Sequence, residues 1–203
     1  MIIIRFADDF IVGFEHRHDA ERFRDELGGR FARFGLELHP DKTRLVEFGR
    51  RAARDRAARG EGKPETFTFL GFTHICAISR TGRFKLKRIT SKKKMRAKLK
   101  AIKAEMRRRM HHAIPEQGRW LASVLQGHYR YYAVPDNSEA LRGFRERVIR
   151  HWRHALSRRS QKGAITWERT RRLAKRWLPE PRILHPWPNV RFAARTRGRS
   201  PVR

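Results

Sequence analysis

Covalent cross-links, metal clusters and membrane spans are all poorly provided for. Cys76 is the one cysteine in 203 residues, so no intramolecular disulfide forms. His74 lies two residues away, but one His and one Cys fall short of a zinc site; a half-buried strand thiol is the expectation. No apolar run approaches the roughly 18 residues of a spanning helix. Residues 1–4 are too short for a signal peptide. No membrane partner is expected, and the chain reads as cytoplasmic. Acids are scarce too: 20 Asp+Glu stand against 50 Lys+Arg, a formal charge of +30. The scarcity is local. Residues 1–50 carry 10 acids and 9 Lys/Arg; residues 51–203 carry 10 acids and 41 Lys/Arg. Such an imbalance costs self-repulsion that a polyanion relieves.

With 39% hydrophobic residues, a core is present for one domain or two small ones. Ile2-Ile3-Ile4 and Phe10-Ile11-Val12 read as two strands of a hairpin around Ala7-Asp8-Asp9. Phe23, Leu27, Phe31 and Phe34 put one apolar stripe on a helix over residues 20–34, stopped by Gly35. Leu36-Glu37-Leu38 leads into a turn at His39-Pro40-Asp41, and a strand is predicted at 43–48. Residues 50–64 read as a loop, and 67–72, 74–79 and 83–88 as short strands. In the last, Phe84 and Leu86 alternate with Lys85 and Lys87, which predicts a basic outer face.

From Ser91 the period changes to that of helices. Met95, Leu99, Ile102, Met106 and Met110 form a narrow seam, broken by Pro115. A second helix carries Trp120, Leu121, Val124 and Leu125. A third, with Asn137 as N-cap, carries Leu141, Phe144, Val148 and Trp152. A short last helix holds Trp167, Leu173 and Trp177, and the segment from 181 on has prolines, arginines and no period. Strands with one helix, followed by helices, predict an α+β fold. The expected domains are 1–90, 91–160 and 161–203.

Asp tolerates tight turns, so Asp8-Asp9 by itself can be no more than a turn. Carboxylates on a hairpin tip can also hold Mg²⁺, and two such ions align an attacking hydroxyl and a leaving pyrophosphate. Several motifs in one order favour the second reading. Phe6-Ala7-Asp8-Asp9 resembles the catalytic Tyr-x-Asp-Asp hairpin of reverse transcriptases, with Phe for Tyr. Gly35-Leu36-Glu37-Leu38-His39-Pro40-Asp41-Lys42-Thr43 resembles that family's next block. Phe69-Leu70-Gly71-Phe72 resembles the hairpin that grips the primer end. Leu125-Gln126-Gly127-His128-Tyr129-Arg130-Tyr131-Tyr132-Ala133-Val134-Pro135 resembles the maturase-specific domain of group II intron-encoded proteins. His185-Pro186-Trp187-Pro188 and the Arg-rich end resemble the tail of bacterial members.

The resemblance implies the C-terminal part of a group II intron reverse transcriptase/maturase: a partial polymerase palm, then a basic helical thumb and maturase domain. By it Asp8 and Asp9 would be metal ligands for Mg²⁺ and catalytic, with Lys42 near nucleotide phosphates. Phe69, Leu70, Gly71 and Phe72 would grip a primer. The family takes a further bridging carboxylate from a strand upstream of the hairpin. Only residues 1–5 precede the hairpin here, and neither Glu15 nor Asp19 is placed to substitute, so this chain is expected not to polymerise alone.

Lys92, Lys93, Lys94, Arg96, Lys100, Arg107 and Arg108 surround the first basic helix and suit phosphates. Tyr129 and Arg130 are the expected RNA contacts of the aromatic block, with Tyr132 in the core. The implied partners are group II intron RNA and an RNA/DNA primer-template; the implied role is RNA binding that assists splicing. The alternatives are a subunit of a split polymerase, completed by a separate N-terminal reverse transcriptase chain, and a non-functional mobile-element remnant.

Overall fold

A computed structural model describes residues 1–159, 164–187 and 190. Pro188 and the Arg-rich end over 191–203 lie outside the described residues. Helices and two small sheets make a mixed α+β architecture. The chain divides into two compact units: Met1–Phe69 with Ile75–Leu86, and Leu70–His74 with the described residues from Lys87 onward.

In the first unit β1 (Ile2–Phe6) pairs antiparallel with β2 (Asp9–Gly13), in register from Ile2↔Gly13 to Phe6↔Asp9. Helix α1 (Arg17–Ala32) follows. Its predicted stripe is only half covered: Phe23, Leu27 and Phe31 are half-buried, Phe34 is exposed, and no α1 residue is fully buried. The strand predicted at 43–48 does not form. A strand needs a partner's N–H and C=O groups, and here other groups take those bonds. The His39 carbonyl accepts from the Lys42 and Thr43 amides at 3.2 and 2.9 Å. The Glu47 amide donates to the Glu65 carboxylate at 3.4 Å, and the Gly49 amide to Cys76 Sγ at 3.3 Å. Cys76 is thus the half-buried strand thiol expected.

The loop expected over 50–64 contains a helix, α2 (Ala52–Ala58). Ala and Arg are strong helix formers, and Arg56 and Arg59 pair with Glu47 and Glu61 around it. Strands β3 (Phe67–Phe69), β4 (Phe72–Ile78) and β5 (Phe84–Thr90) lie in that order in a second sheet. The face reading of β5 was inverted: Phe84 and Leu86 are exposed, while Lys85 and Lys87 are half-buried.

The second unit holds the core. Helices α3 (Lys92–Arg108), α4 (Ile114–Tyr132), α5 (Ser138–Ser157) and α6 (Trp167–Trp177) pack together, with α5 against each of the other three. Met95, Leu99, Ile102 and Met106 of α3 are buried at the predicted period. Leu141, Phe144, Val148 and Trp152 of α5 are inaccessible to solvent. Pro115 sits in the first turn of α4, where a missing N–H costs nothing, and so begins that helix. Ala174 and Leu178 bring α6 and its C-cap into the same core. At Gly118 the α4–α6 contact is so close that a Cβ would lie 2.6 Å from Trp177 Cγ.

Two buried amides tie this unit together. Asn137 takes the N-cap position of α5, as predicted, but its side chain makes no cap bond. Its Oδ1 accepts from the Thr90 amide at 2.9 Å, and Nδ2 donates to Thr90 Oγ1 and to the Tyr132 carbonyl, both at 2.8 Å. The end of β5, the end of α4 and the start of α5 therefore meet at one side chain. Gln117 of α4 does the same for the corner after α3. Its Nε2 lies within hydrogen-bond distance of the Arg109, Met110 and His112 carbonyls, at 2.9, 3.1 and 3.1 Å. Its Oε1 accepts from Trp152 Nε1 at 2.8 Å. Carbonyls at a helix end have no partner within the helix, and this amide supplies one.

Candidate nucleic-acid interface

In the first unit, Phe6 and Asp9 are the last paired residues of the β1–β2 hairpin, and Ala7 and Asp8 form its two-residue loop. Ala7 adopts φ 52°, a positive value that suits so tight a loop. Its carbonyl accepts from Arg5 Nε at 2.9 Å. Asp8 and Asp9 are adjacent and exposed. Lys42 is exposed on the separate 39–43 turn, and no hydrogen bond or ion pair among the described residues joins it to either acid. No group of three or more His, Cys, Asp or Glu side chains among the described residues could hold a metal ion. Two carboxylates alone do not make the donor set of a two-ion site.

Phe69, Leu70, Gly71 and Phe72 form the tight turn from β3 to β4. Leu70 and Gly71 have φ 48° and 77°. Positive φ at both central residues matches the twist of a two-residue hairpin, and is strained for Leu. The turn is clamped. Tyr131 Oη donates to the Leu70 carbonyl at 2.8 Å, and the Ser91 amide donates to the Gly71 carbonyl at 2.9 Å. A Cβ on Gly71 would lie 2.7 Å from Tyr132 Oη. Phe72 stacks on Tyr131, with centroids 5.7 Å apart. Two motifs about sixty residues apart in sequence thus form one aromatic cluster.

The same cluster corrects the expectation for Tyr129. Its ring is 4% exposed, with its hydroxyl 3.4 Å from the Pro179 carbonyl, so it offers no face to RNA. Burial pushes that phenol's pKa up. Leu121, Leu125 and Tyr129 follow at intervals of four on the buried stripe of α4. That spacing was the signal that Tyr129 belongs inside. Tyr131, 50% exposed, is the ring at the surface, and Arg130 is exposed beside it. Tyr132 is partly buried against the core, as read from the sequence.

Lys94, Lys98, His128, Tyr131 and Tyr132 line a hollow of about 390 Å³ between α3 and α4. His128 is 7% exposed and stacked on Phe144 at 3.8 Å. Its Nε2 has no hydrogen-bond partner among the described residues. Burial and the nearby Lys98 charge lower its pKa to about 4. This histidine is therefore neutral in the native state near neutrality, whereas the unfolded chain takes up a proton near pH 6.5. Its contribution to stability is complete above about pH 6.5 and is lost as pH falls through about 4. A shift of this size corresponds to about 3 kcal/mol. Chemical denaturation from pH 7 to 4 should show this decline, and His128→Phe should flatten it; an unchanged slope in the variant would contradict the assignment.

The basic residues of α3 are where the sequence put them. Lys92, Lys93, Lys94, Arg96, Lys100, Arg107 and Arg108 are all exposed, opposite the buried Met-Leu-Ile seam. Glu105 is the helix's one acid, taken by Arg109 at 2.7 Å and Arg108 at 3.4 Å. Those arginines hold its carboxyl below the usual range. The N-terminal end is unusual. Helices α1, α2, α4, α5 and α6 each have an acid in the first turn; α3 has none, and begins Lys92-Lys93-Lys94. The positive end of a helix dipole prefers anions, so these lysines work against the helix that carries them.

The fold and the site define a mixed α+β protein with a neutral first part and a strongly cationic helical unit. Residues 1–74 match the family of reverse transcriptase (RNA-dependent DNA polymerase), so this stretch is related to reverse transcriptases. The match contains the Asp8-Asp9 hairpin, Lys42 and the 69–72 turn. No curated protein matches the chain. No solved structure matches it. No described helix is long and apolar enough to cross a membrane.

Proposed function

We propose that this reverse-transcriptase-related chain is the C-terminal part of a group II intron reverse transcriptase/maturase, and that its helical unit binds folded intron RNA and assists splicing. One observation carries the RNA-binding reading: α3 exposes a nearly unopposed row of cations and sets three of them against its own dipole. Folding does not favour that arrangement; a polyanion at the same helix end does. The order of motifs before and after α3 supports the maturase reading, with 1–90 as the end of a palm and 91–160 as thumb and maturase domain.

A titration tests it, using the intact chain with a folded group II intron RNA and an unstructured RNA of equal length. The expected result is salt-dependent binding to both, with at least tenfold preference for the folded RNA at physiological salt. Equal affinities would reduce the chain to a generic polycation.

The first unit favours a second reading. Asp8 and Asp9 are exposed on a hairpin whose first strand also exposes Ile2, Ile3 and Ile4. In this reading a separate N-terminal reverse transcriptase chain covers β1 and adds the missing carboxylate. Mg²⁺ would then be held by Asp8, Asp9 and a partner acid. A copurifying protein with an Asp-bearing strand is what it requires.

A further inference from the structure

A groove of about 610 Å³ runs between α5 and α6, away from the residues assigned above. Its size is that of a small-ligand site. Trp167 forms part of its wall and is 42% exposed. The Arg153 guanidinium lies 4.6 Å from the Trp167 ring centroid, and Arg153 Nε is anchored on the Ile165 carbonyl at 3.1 Å. The ring is thus held in place while much of it stays open. Thr166 caps α6 just before it, accepting from the Arg169 amide at 3.2 Å, so the Trp is fixed at a rigid helix start.

The charges in the groove are of two kinds. Arg145 is buried and already engaged: it pairs with Glu180 at 2.7 Å and donates to the Leu178 and Pro179 carbonyls. Glu146 lies 3.9 Å from the same guanidinium. Arg150, Arg171 and Lys175 are exposed, and none pairs with a carboxylate among the described residues. A surface where cations accompany an open aromatic ring suits a strand of unpaired nucleotides, because a base stacks on the ring while its phosphates meet the cations. Duplex RNA has no free base face to offer.

We propose that this groove seats an unpaired nucleotide of the bound RNA. The base lies against Trp167, and the adjoining phosphates lie on Arg150, Arg171 and Lys175. The inference rests on the RNA-binding reading and adds to it a second contact surface, selective for single strands.

The test uses the intact chain, a short oligouridine and a hairpin duplex of the same length, each titrated against wild type, Trp167→Ala and Trp167→Phe. Trp167→Ala should weaken oligouridine binding about 5- to 100-fold. Trp167→Phe should recover most of the loss, and neither should change the duplex affinity or the salt slope. Matching melting curves for the two variants establish that both fold. An unchanged oligouridine affinity in Trp167→Ala, or an equal loss on the duplex, overturns the groove assignment while leaving RNA binding intact. Failure of the wild type to bind either RNA overturns both readings.

Discussion

Replacing Lys92, Lys93, Lys94 and Arg96 with glutamate together should move RNA affinity and stability in opposite directions. These four side chains are exposed on the first turn and a half of α3. If each neutralises one phosphate, removing them lowers the slope of log K against log salt by about 3. At about 0.1 M salt, that slope corresponds to roughly a thousandfold weaker binding. Reversal adds repulsion to the loss. Stability should rise, because glutamates at the positive end of a helix are favourable by about 0.3–1 kcal/mol each. The buried seam of Met95, Leu99, Ile102 and Met106 is untouched. The measurements are a salt series of binding isotherms and a denaturant melt. A variant that bound as before, or that lost stability along with affinity, would show that α3 is cationic for some reason other than its partner.

The second large effect is expected at Gln117. This amide is almost wholly buried, and it serves Trp152 and the corner between α3 and α4 at once. Gln117→Leu preserves bulk but takes the partner from the Trp152 indole N–H and from the Met110 and His112 carbonyls, while the Arg109 carbonyl keeps the His112 amide at 3.0 Å. Each buried group left unsatisfied costs about 1–3 kcal/mol, so a loss of about 4 kcal/mol is expected in urea denaturation. Adding Trp152→Phe to that variant removes one orphan. Its further cost should be smaller than the cost of Trp152→Phe in the wild type, and that non-additivity marks a shared network. Strict additivity of the two changes would mean that the indole bond contributes nothing.

What could be read ahead of the structure follows from how each element is stabilised. The seam of α3 and the stripe of α5 were legible because a long period of three and four specifies both the helix and its buried face. Asn137 was legible as a cap position, yet its side chain turned to Thr90 and Tyr132, residues that local sequence does not bring near. The strand expected at 43–48 was apolar enough, but a strand is completed by a partner, and the Thr43 and Glu47 amides are taken instead by the His39 carbonyl and the Glu65 carboxylate. Helix α2 was hidden by its charge, although its alanines and arginines favour a helix.

The aromatic block shows the finest grain of this problem. Tyr129 and Tyr131 are two residues apart on one helix, and two steps turn a side chain most of the way to the opposite face. Its composition announced rings near arginines; only the phase relative to Leu121 and Leu125 decided which ring is outside. The clamp on Leu70 and Gly71 needed the fold itself, since it joins residues about sixty apart.

The β1–β2 hairpin has a consequence for how the protein behaves in a tube. Ile2 is 70% exposed, and Ile3, Ile4 and Phe6 are also largely open, in a two-stranded sheet with unpaired edges. Such an edge is adhesive toward any second strand. What keeps two copies apart is their common positive charge, which acts over a range set by the ionic strength. The salt that strips nucleic acid from the helices therefore also weakens the repulsion between whole molecules, whose charge lies mainly beyond residue 50. Cleaning the protein of RNA and keeping it dispersed are opposing demands on one buffer.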